Sequence, residues 1–598
     1  MCGFAGEVRF DGQDADVVAL ERVSGRMRAR GPDGSGTWRR AGVGLVHRRL
    51  TIIDLTRAGE QPMVDSQLGL SLAFNGCIYN YPELRRELEG HGYRFFSTSD
   101  SEVILKAYHR WGSACVERFH GMFAFAICER DSGRVVLARD RLGIKPLYLA
   151  PGPGRLRFAS TLPALLAGGE VDTSIDRVAL HHYLSFHSVV PAPHTILNGV
   201  RKLAPGTVLA IEPDGRQQSH VYWRPRFTRT ERPMAPEAWR GALLARLRTA
   251  VRRRMVADVP IGVLLSGGLD SSLLVALLAQ EVETRGQKGL LRTFSIGFQQ
   301  VGGLTGDEFD YSDLVARQFG TDHHQIRIDN GRLLTALDGA ITAMSEPMIS
   351  HDAVAFYLLS QEVSQHVKVV QCGQGADEIF AGYDWYPPLG DVPRTDALEA
   401  YAGVFFDRDR ATIEAIVSPD YLPAADVSRQ MVAAHFDAPG ADTTLDAALR
   451  IDTTIMLVDD PVKRVDNMTM AWGLEARVPF LDHELVELAA ACPPELKLAH
   501  GGKGVLKDAA RGLVPDEVID RPKGYFPVPG IRHLEGKVLA TVRDALTSRA
   551  ARERGLYRDE YVQPLFEHPN ERSRLGINIL WQLGLLELWL QKQLSSLS

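Results

Sequence analysis

The 598-residue chain has little cysteine: six residues, standing apart at positions 2, 77, 115, 128, 372 and 492. No C-x-x-C pair or Cys/His ligand spacing occurs, so neither a disulfide framework nor a structural zinc site is expected. No apolar run of about eighteen residues crosses the sequence, and no charged segment followed by an apolar stretch opens it. A basic block is also missing. The formal net charge is -6, which disfavours a nucleic-acid scaffold. Internal repeats and low-complexity segments are absent. What is there, 45% hydrophobic and 24% charged residues, suits a soluble enzyme. A cytoplasmic location with no nucleic-acid or membrane partner is expected, and a homodimer is left open. The length exceeds one ordinary core, so two or more domains are expected.

The first part reads as strand-rich. Val43-Gly44-Leu45-Val46, Leu70 to Phe74, Met122 to Cys128 and Val135 to Ala138 are short apolar strands, the last two separated by the turn Asp131-Ser132-Gly133. Tyr81 to Gly90 and Ser101 to Trp111 read as helices, giving a mixed α+β unit. Ala210 to Gly215 makes a turn between short strands, and Arg226 to Pro236 is charged and proline-bearing. The expected division is 1-210, a linker over 211-240, and 241-598. The last part switches to an α/β pattern. Pro260 to Leu265, Leu291 to Phe298 and Val367 to Gln371 read as buried parallel strands. The final two hundred or so residues read as mainly helical.

Cys2 is the first candidate for chemistry. Removing Met1 would place an α-amine, with a pKa of about 8, on the same residue as a thiol, so one residue would supply nucleophile and base. The loop Ser266-Gly267-Gly268-Leu269-Asp270-Ser271-Ser272 lies between a buried strand and a helix. Its glycines permit close backbone approach, and the helix amides suit phosphate oxygens. Asp270 would repel phosphate unless it held Mg2+. The loop is neither a Walker A nor a dinucleotide fingerprint. A second strand-to-loop segment, Gly373 to Glu378, offers Asp377 as a partner for that metal. A plain helix start is the other reading of each loop.

In order along the chain, Cys2-Gly3, Arg30-Gly31-Pro32-Asp33-Gly34, His47-Arg48-Arg49-Leu50, Phe74-Asn75-Gly76, Thr98-Ser99-Asp100, Ser266 to Ser272, Gly375-Ala376-Asp377-Glu378 and Leu474 to Asp482 occur together. This ordered set resembles the glutamine-dependent asparagine synthetase family of amidotransferases over nearly the whole chain. The resemblance implies an N-terminal Ntn-hydrolase of the class II glutamine amidotransferase type, with αββα layers. It implies a C-terminal α/β ATP pyrophosphatase domain, like the adenine nucleotide alpha-hydrolases, with added helices. In that reading Cys2 attacks the side-chain amide of L-glutamine. Asn75 and the Gly76 amide hold the oxyanion, Arg49 pairs with the substrate carboxylate and Asp100 with its α-ammonium. ATP would meet Leu265, Ser266, Gly267, Gly268, Asp270, Ser271, Ser272, Ile296 and Gly375, with Mg2+ on Asp270 and Asp377. Glu346 would handle protons during ammonia attack on the adenylated acceptor, and Lys523 would steady the activated phosphate. An internal ammonia passage is implied, with Gly121 to Phe125 among its candidate walls. Taken alone, Arg49 also reads as an ion-pair arginine, Asp100 as a turn residue, Glu346 as a loop carboxylate and Lys523 as a solvated lysine.

Three positions depart from the family pattern. Cys77 stands where glutamate usually follows Asn-Gly, leaving Asp100 alone or another acid to recognise the ammonium. A buried, inert thiol is the preferred reading of Cys77. Gln374 replaces a carboxylate, and Asn467 replaces an arginine. In the first domain Phe74 to Tyr81, Ser160 to Leu166, Leu180 to His187 and Val189 to Pro193 resemble the N-acetylglutaminylglutamine amidotransferase subgroup, which serves osmolyte biosynthesis, and the neutral Gln374 is consistent with its acceptor. That small carboxylate acceptor has no free ammonium and is the preferred one. Aspartate, and a catalytically impaired binding protein, are the alternatives. His181, His182 and His187 read as packing or hydrogen-bonding residues, and the Trp581 to Leu590 stretch as helical core.

Overall fold

A computed structural model of the protein describes residues 2-229, 234-284, 286, 291-299, 307-522, 524 and 528-595. Among the described residues of the first part, twelve strands build two sheets. They are β1 (Gly3–Arg9), β2 (Gly34–Arg40), β3 (Val43–Arg49), β4 (Met63–Asp65), β5 (Leu70–Ile78), β6 (Gly121–Glu129), β7 (Val135–Arg139), β8 (Tyr148–Gly152), β9 (Arg155–Ala159), β10 (Arg201–Lys202), β11 (Thr207–Ile211) and β12 (Gln217–Val221). One sheet runs β10-β8-β9-β1-β3-β2 and the other β12-β11-β7-β6-β5-β4.

Side-chain alternation sorts these strands into layers. Phe4, Val8, Leu45, Ala73, Ala124 and Leu137 meet between the sheets. On the far face of the second sheet, Leu72, Phe74 and Phe125 pack with Val103 and Ile104 of the helix Asp100–Trp111. The helix Val17–Arg26 covers the far face of the first sheet through Leu20 and Val23. The order is helix, sheet, sheet, helix. The sheet also continues past residue 210. Gly215 donates to the Glu212 carbonyl at 2.9 Å, closing a turn, and β12 returns along β11 from Ile211↔Gln217 to Thr207↔Val221. The start of the segment expected as linker is therefore an edge strand.

The second part is built on five parallel strands, β13 (Ile261–Leu264), β14 (Arg292–Phe298), β15 (Asp322–Ile328), β16 (Val369–Gln371) and β17 (Glu475–Arg477), in the order β15-β14-β13-β16-β17. The inner strands β13, β14 and β16 are buried, as a helix-covered parallel sheet requires, whereas the edge strand β15 is polar and half-exposed. The helix Leu269–Thr284 follows β13, and the helix Ile579–Leu594 closes the described chain. Trp581 and Trp589 of that last helix donate to the carbonyls of Ile349 and Met344, at 2.9 and 3.0 Å. They clamp both ends of the loop that carries Glu346. His181 and His182 share the Ser428 hydroxyl at 2.7 and 3.0 Å, and His187 Nε2 meets the Phe405 carbonyl at 3.2 Å. These are hydrogen-bonded core histidines. Among the described residues no helix is long and apolar enough to cross a membrane.

Candidate functional site

Cys2 sits at the head of β1, and its main-chain nitrogen donates to Asn75 Oδ1 at 3.1 Å. Asn75 is on β5, in the facing sheet, which β1 meets directly. Its Nδ2 is buried with no hydrogen-bond partner among the described residues. An unsatisfied buried donor is costly unless something fills it. Gly76, the next residue, has φ +154, and a Cβ there would lie 2.1 Å from the Met122 carbonyl oxygen of β6. Only glycine lets β5 pass so near β6 at this point. Burial raises the Cys2 thiol pKa, so the sulfur needs a base to become nucleophilic.

Arg49 and Asp100 line the same pocket as Cys2 and Gly76. Arg49 makes no ion pair among the described residues. Its guanidinium donates to the Thr56 carbonyl at 2.9 Å and to the Asp54 carbonyl, which holds the group at the rim. Asp100 is the first residue of the helix Asp100–Trp111 and accepts from Ile78 N–H at 3.0 Å. Burial is the main cause that pushes its pKa up to about 6. Cys77 is buried beside them, with its pKa raised well above the usual thiol range by desolvation. Two further walls come from the other sheet system: Glu475 and Arg477 of β17.

The second site is a cavity of about 590 Å³ at the carboxyl ends of β13, β14 and β16. That is the usual ligand position in an open parallel sheet, and the size suits a nucleotide. Leu265, Ser266, Gly268, Asp270, Ser271 and Ile296 line it. Ser266 Oγ accepts from Gly268 N–H at 3.3 Å and meets Ser271 Oγ at 3.1 Å, which tightens the loop. Gly267 has φ +77 and passes against Tyr311 and Ser312 beneath the loop. Gly267 and Gly375 shape their loops without lining the cavity. Ser272 is also absent from the wall: it is fully buried, because its position on the first helical turn faces the core.

Asp270 and Asp377 do converge, and a lysine stands between them. Lys503 Nζ donates to Asp270 Oδ2 at 2.6 Å and pairs with Asp377 Oδ1 at 2.9 Å. The sequence reading missed Lys503. Its signal was the glycine-flanked run Gly501-Gly502-Lys503-Gly504. Arg464 and Asp352, also on the wall, carried no local pattern. Gln374 is on the wall too. Lys523 lies outside the described residues, although Arg521, Pro522 and Gly524 around it line the cavity.

Glu346 is in neither cavity wall. It is buried 3.0 Å from Lys202 Nζ of β10 and 3.4 Å from Lys463 Nζ. These ammonium groups hold its pKa below the usual carboxylate value against the cost of burial. Its loop is anchored by Ser345 N–H, which donates to Asn467 Oδ1 at 2.6 Å. Next to Asn467, Asp466 accepts from Arg30 at 2.8 and 3.2 Å and from Lys145 at 3.2 Å, across the seam. Of the proposed passage walls, Met122 faces this seam, whereas Phe123 and Phe125 belong to the core under the helix Asp100–Trp111. The alternation of β6 decides that split.

Two family profiles match the chain: "Glutamine amidotransferase domain" over residues 1–223 and "Asparagine synthase" over 242–591. Asparagine synthetase [glutamine-hydrolyzing] 1 of Bacillus subtilis is 32% identical, covering 98% of this chain and 96% of that one. A putative asparagine synthetase [glutamine-hydrolyzing] of Mycobacterium tuberculosis is 33% identical over 100% of this chain and 99% of its own length. Amidase chry2 of Gibberella zeae is 27% identical, over 88% and 89% of the two chains. With both halves matched in one order and at full length, the chain belongs to the asparagine synthase family and has that family's ATP- and glutamine-dependent amidotransferase chemistry.

Proposed function

We propose that the protein hydrolyses glutamine at Cys2 and uses the ammonia to amidate a carboxylate that ATP has activated in the second cavity. The glutaminase unit runs to Val221 and the synthetase unit from the helix Pro236–Arg253 onward. The observation that carries this reading is the pairing of Cys2 N with Asn75 Oδ1 while Asn75 Nδ2 stays buried and open. Once Met1 is removed, that nitrogen is an α-amine able to take the thiol proton. The thiolate attacks the glutamine amide, Asn75 Nδ2 and Gly76 N–H stabilise the oxyanion, and ammonia leaves. Water then releases glutamate from the thioester. Arg49 holds the α-carboxylate and Asp100 the α-ammonium.

In the second cavity the loop Ser266 to Ser271 cradles the phosphates, and Leu265 and Ile296 flank the adenosine. The donor chemistry suits Mg2+: Asp270 and Asp377 already share one cation, the Lys503 ammonium. Bound there, Mg2+ would neutralise the departing pyrophosphate. Adenylation joins the acceptor carboxylate to the α-phosphorus of ATP and releases pyrophosphate. Ammonia displaces AMP, and Glu346 receives the proton that the new amide sheds. Lys523 would steady the activated phosphate.

The names of the full-length relatives favour aspartate as the acceptor over N-acetylglutaminylglutamine. One observation keeps the dipeptide as a second reading: the cavity wall carries the neutral Gln374, where a free amino-acid ammonium would be served by a carboxylate. Incubation with glutamine and Mg-ATP, with each acceptor in turn, tests the choice. Asparagine and AMP are expected. Amidation of the dipeptide without asparagine formation would overturn the aspartate reading, and AMP release with neither would overturn both.

A further inference from the structure

Arg477 gives its guanidinium to two neighbours in the glutaminase pocket. Nε donates to Glu475 Oε1 at 2.5 Å, and Nη2 reaches Cys77 Sγ at 3.8 Å. The remaining nitrogen donates to the carbonyls of Arg254 and Val256 at 2.8 and 2.7 Å. Arg477 is thus well supplied with acceptors. Glu475 is only 1% exposed, yet it forms part of the wall that Cys2, Arg49 and Asp100 also form. Its charge is felt at both ends of that pocket, since it opposes ionisation of the Cys2 thiol and of the Asp100 carboxyl. Against the cost of burial, the positive charge of the chain's amino terminus, then Arg477 and Lys145, hold Glu475 down to about 2. It is a full carboxylate at neutral pH.

Glutamine brings a zwitterion into this dry site. Its carboxylate has Arg49. Its ammonium, which costs heavily to bury without counter-charge, has Asp100, whose own ionisation is weakened by burial. Position 77, where the family resemblance places a second acid, holds a neutral thiol. We propose that Glu475, carried by the synthetase sheet, recognises the α-ammonium of glutamine together with Asp100, as the second acid of a pocket whose position 77 is a neutral thiol. The inference rests on the glutaminase reading of the Cys2 pocket. It makes the donor site a joint product of both halves of the chain.

The test uses the full-length protein with two donors, glutamine and 4-carbamoylbutanoate, which is glutamine without its α-amine. Glu475→Gln keeps an oxygen for Arg477 and removes the charge. Its glutamine KM is expected to rise about tenfold or more, with the KM of the analogue shifted less than about twofold. Synthesis from free ammonia should persist. Glu475→Asp keeps the charge and should keep the preference for glutamine over the analogue. Equal shifts for the two donors, no shift, or a preference lost in Glu475→Asp overturns the proposal. Cys2→Ala separates it from its foundation. If that variant still hydrolyses glutamine, the glutaminase reading fails. If it does not, and Glu475→Gln treats both donors alike, only the role of Glu475 fails.

Discussion

Asp100 is buried at the start of its helix, where hydrogen bonds from Ile78 N–H and Ser99 Oγ and the charge of Arg477 work against desolvation and the charge of Glu475. Its pKa of about 6 sets a pH window for the donor. The ammonium of glutamine binds the ionised carboxylate and not the protonated acid. Glutamine KM is therefore expected to rise as pH falls through about 6, while the ammonia-dependent reaction lacks this limb. Steady-state glutaminase assays across neutral and mildly acidic pH read it directly; a flat glutamine KM would contradict the assignment. Asp100→Asn should give a high KM that no longer varies over that range. Gly76 belongs at the same scale. A Cβ there meets the Met122 carbonyl at 2.1 Å in a left-handed backbone. Gly76→Ala is expected to abolish glutamine use and to cost about 1–3 kcal/mol of stability, measured by urea unfolding beside the two activity assays.

Among elements, the strand-loop-helix from Ile261 to Thr284 was the most legible in sequence. A buried apolar strand followed by Ser-Gly-Gly and a leucine-rich helix fixes the local geometry without outside help. The sheets of the first part were legible for the same reason, because β5, β6 and β7 alternate or bury within short spans. The limits of legibility were set by chain separation. Lys503 joins Asp270 and Asp377 only through the folding of a long helical stretch, and its own loop shows just glycines around a lysine. Glu475 and Arg477 were visible as part of a motif, but their neighbours Cys77 and Cys2 come from the other end of the chain. Ser272 stands off the cavity wall, and a phosphate-loop pattern does not reveal which hydroxyl the helix turns inward. Lys503→Ala leaves two carboxylates facing each other and the incoming phosphates. ATP KM is expected to rise about tenfold, with partial recovery at raised Mg2+; an unchanged KM in the ammonia-dependent assay would remove Lys503 from the nucleotide site.

At the scale of the molecule, the seam between the halves is charged and buried. Asp466 takes Arg30 and Lys145 from the first half, and Glu346 takes Lys202 and Lys463. Removing Asp466 takes that buried counter-charge from both Arg30 and Lys145. Asp466→Asn is expected to lower stability by about 3–5 kcal/mol, followed by thermal unfolding. It should also loosen the seam, so that more glutamate is released per amide formed. A variant of wild-type stability with unaltered coupling would show that this cluster is dispensable.

β17 is three residues long, and its register fixes more than a sheet edge. Gln371 pairs with Arg477, and Cys372 N–H donates to the Arg477 carbonyl at 3.0 Å, one peptide short of Gly373 and Gln374 on the nucleotide cavity wall. The side chain of the same Arg477 touches Cys77. The two halves are therefore not exchangeable parts. Any exchange of the first half has to keep at position 77 a side chain that Arg477 can meet, as it now meets the Cys77 thiol, so a change at either residue is felt in both cavities.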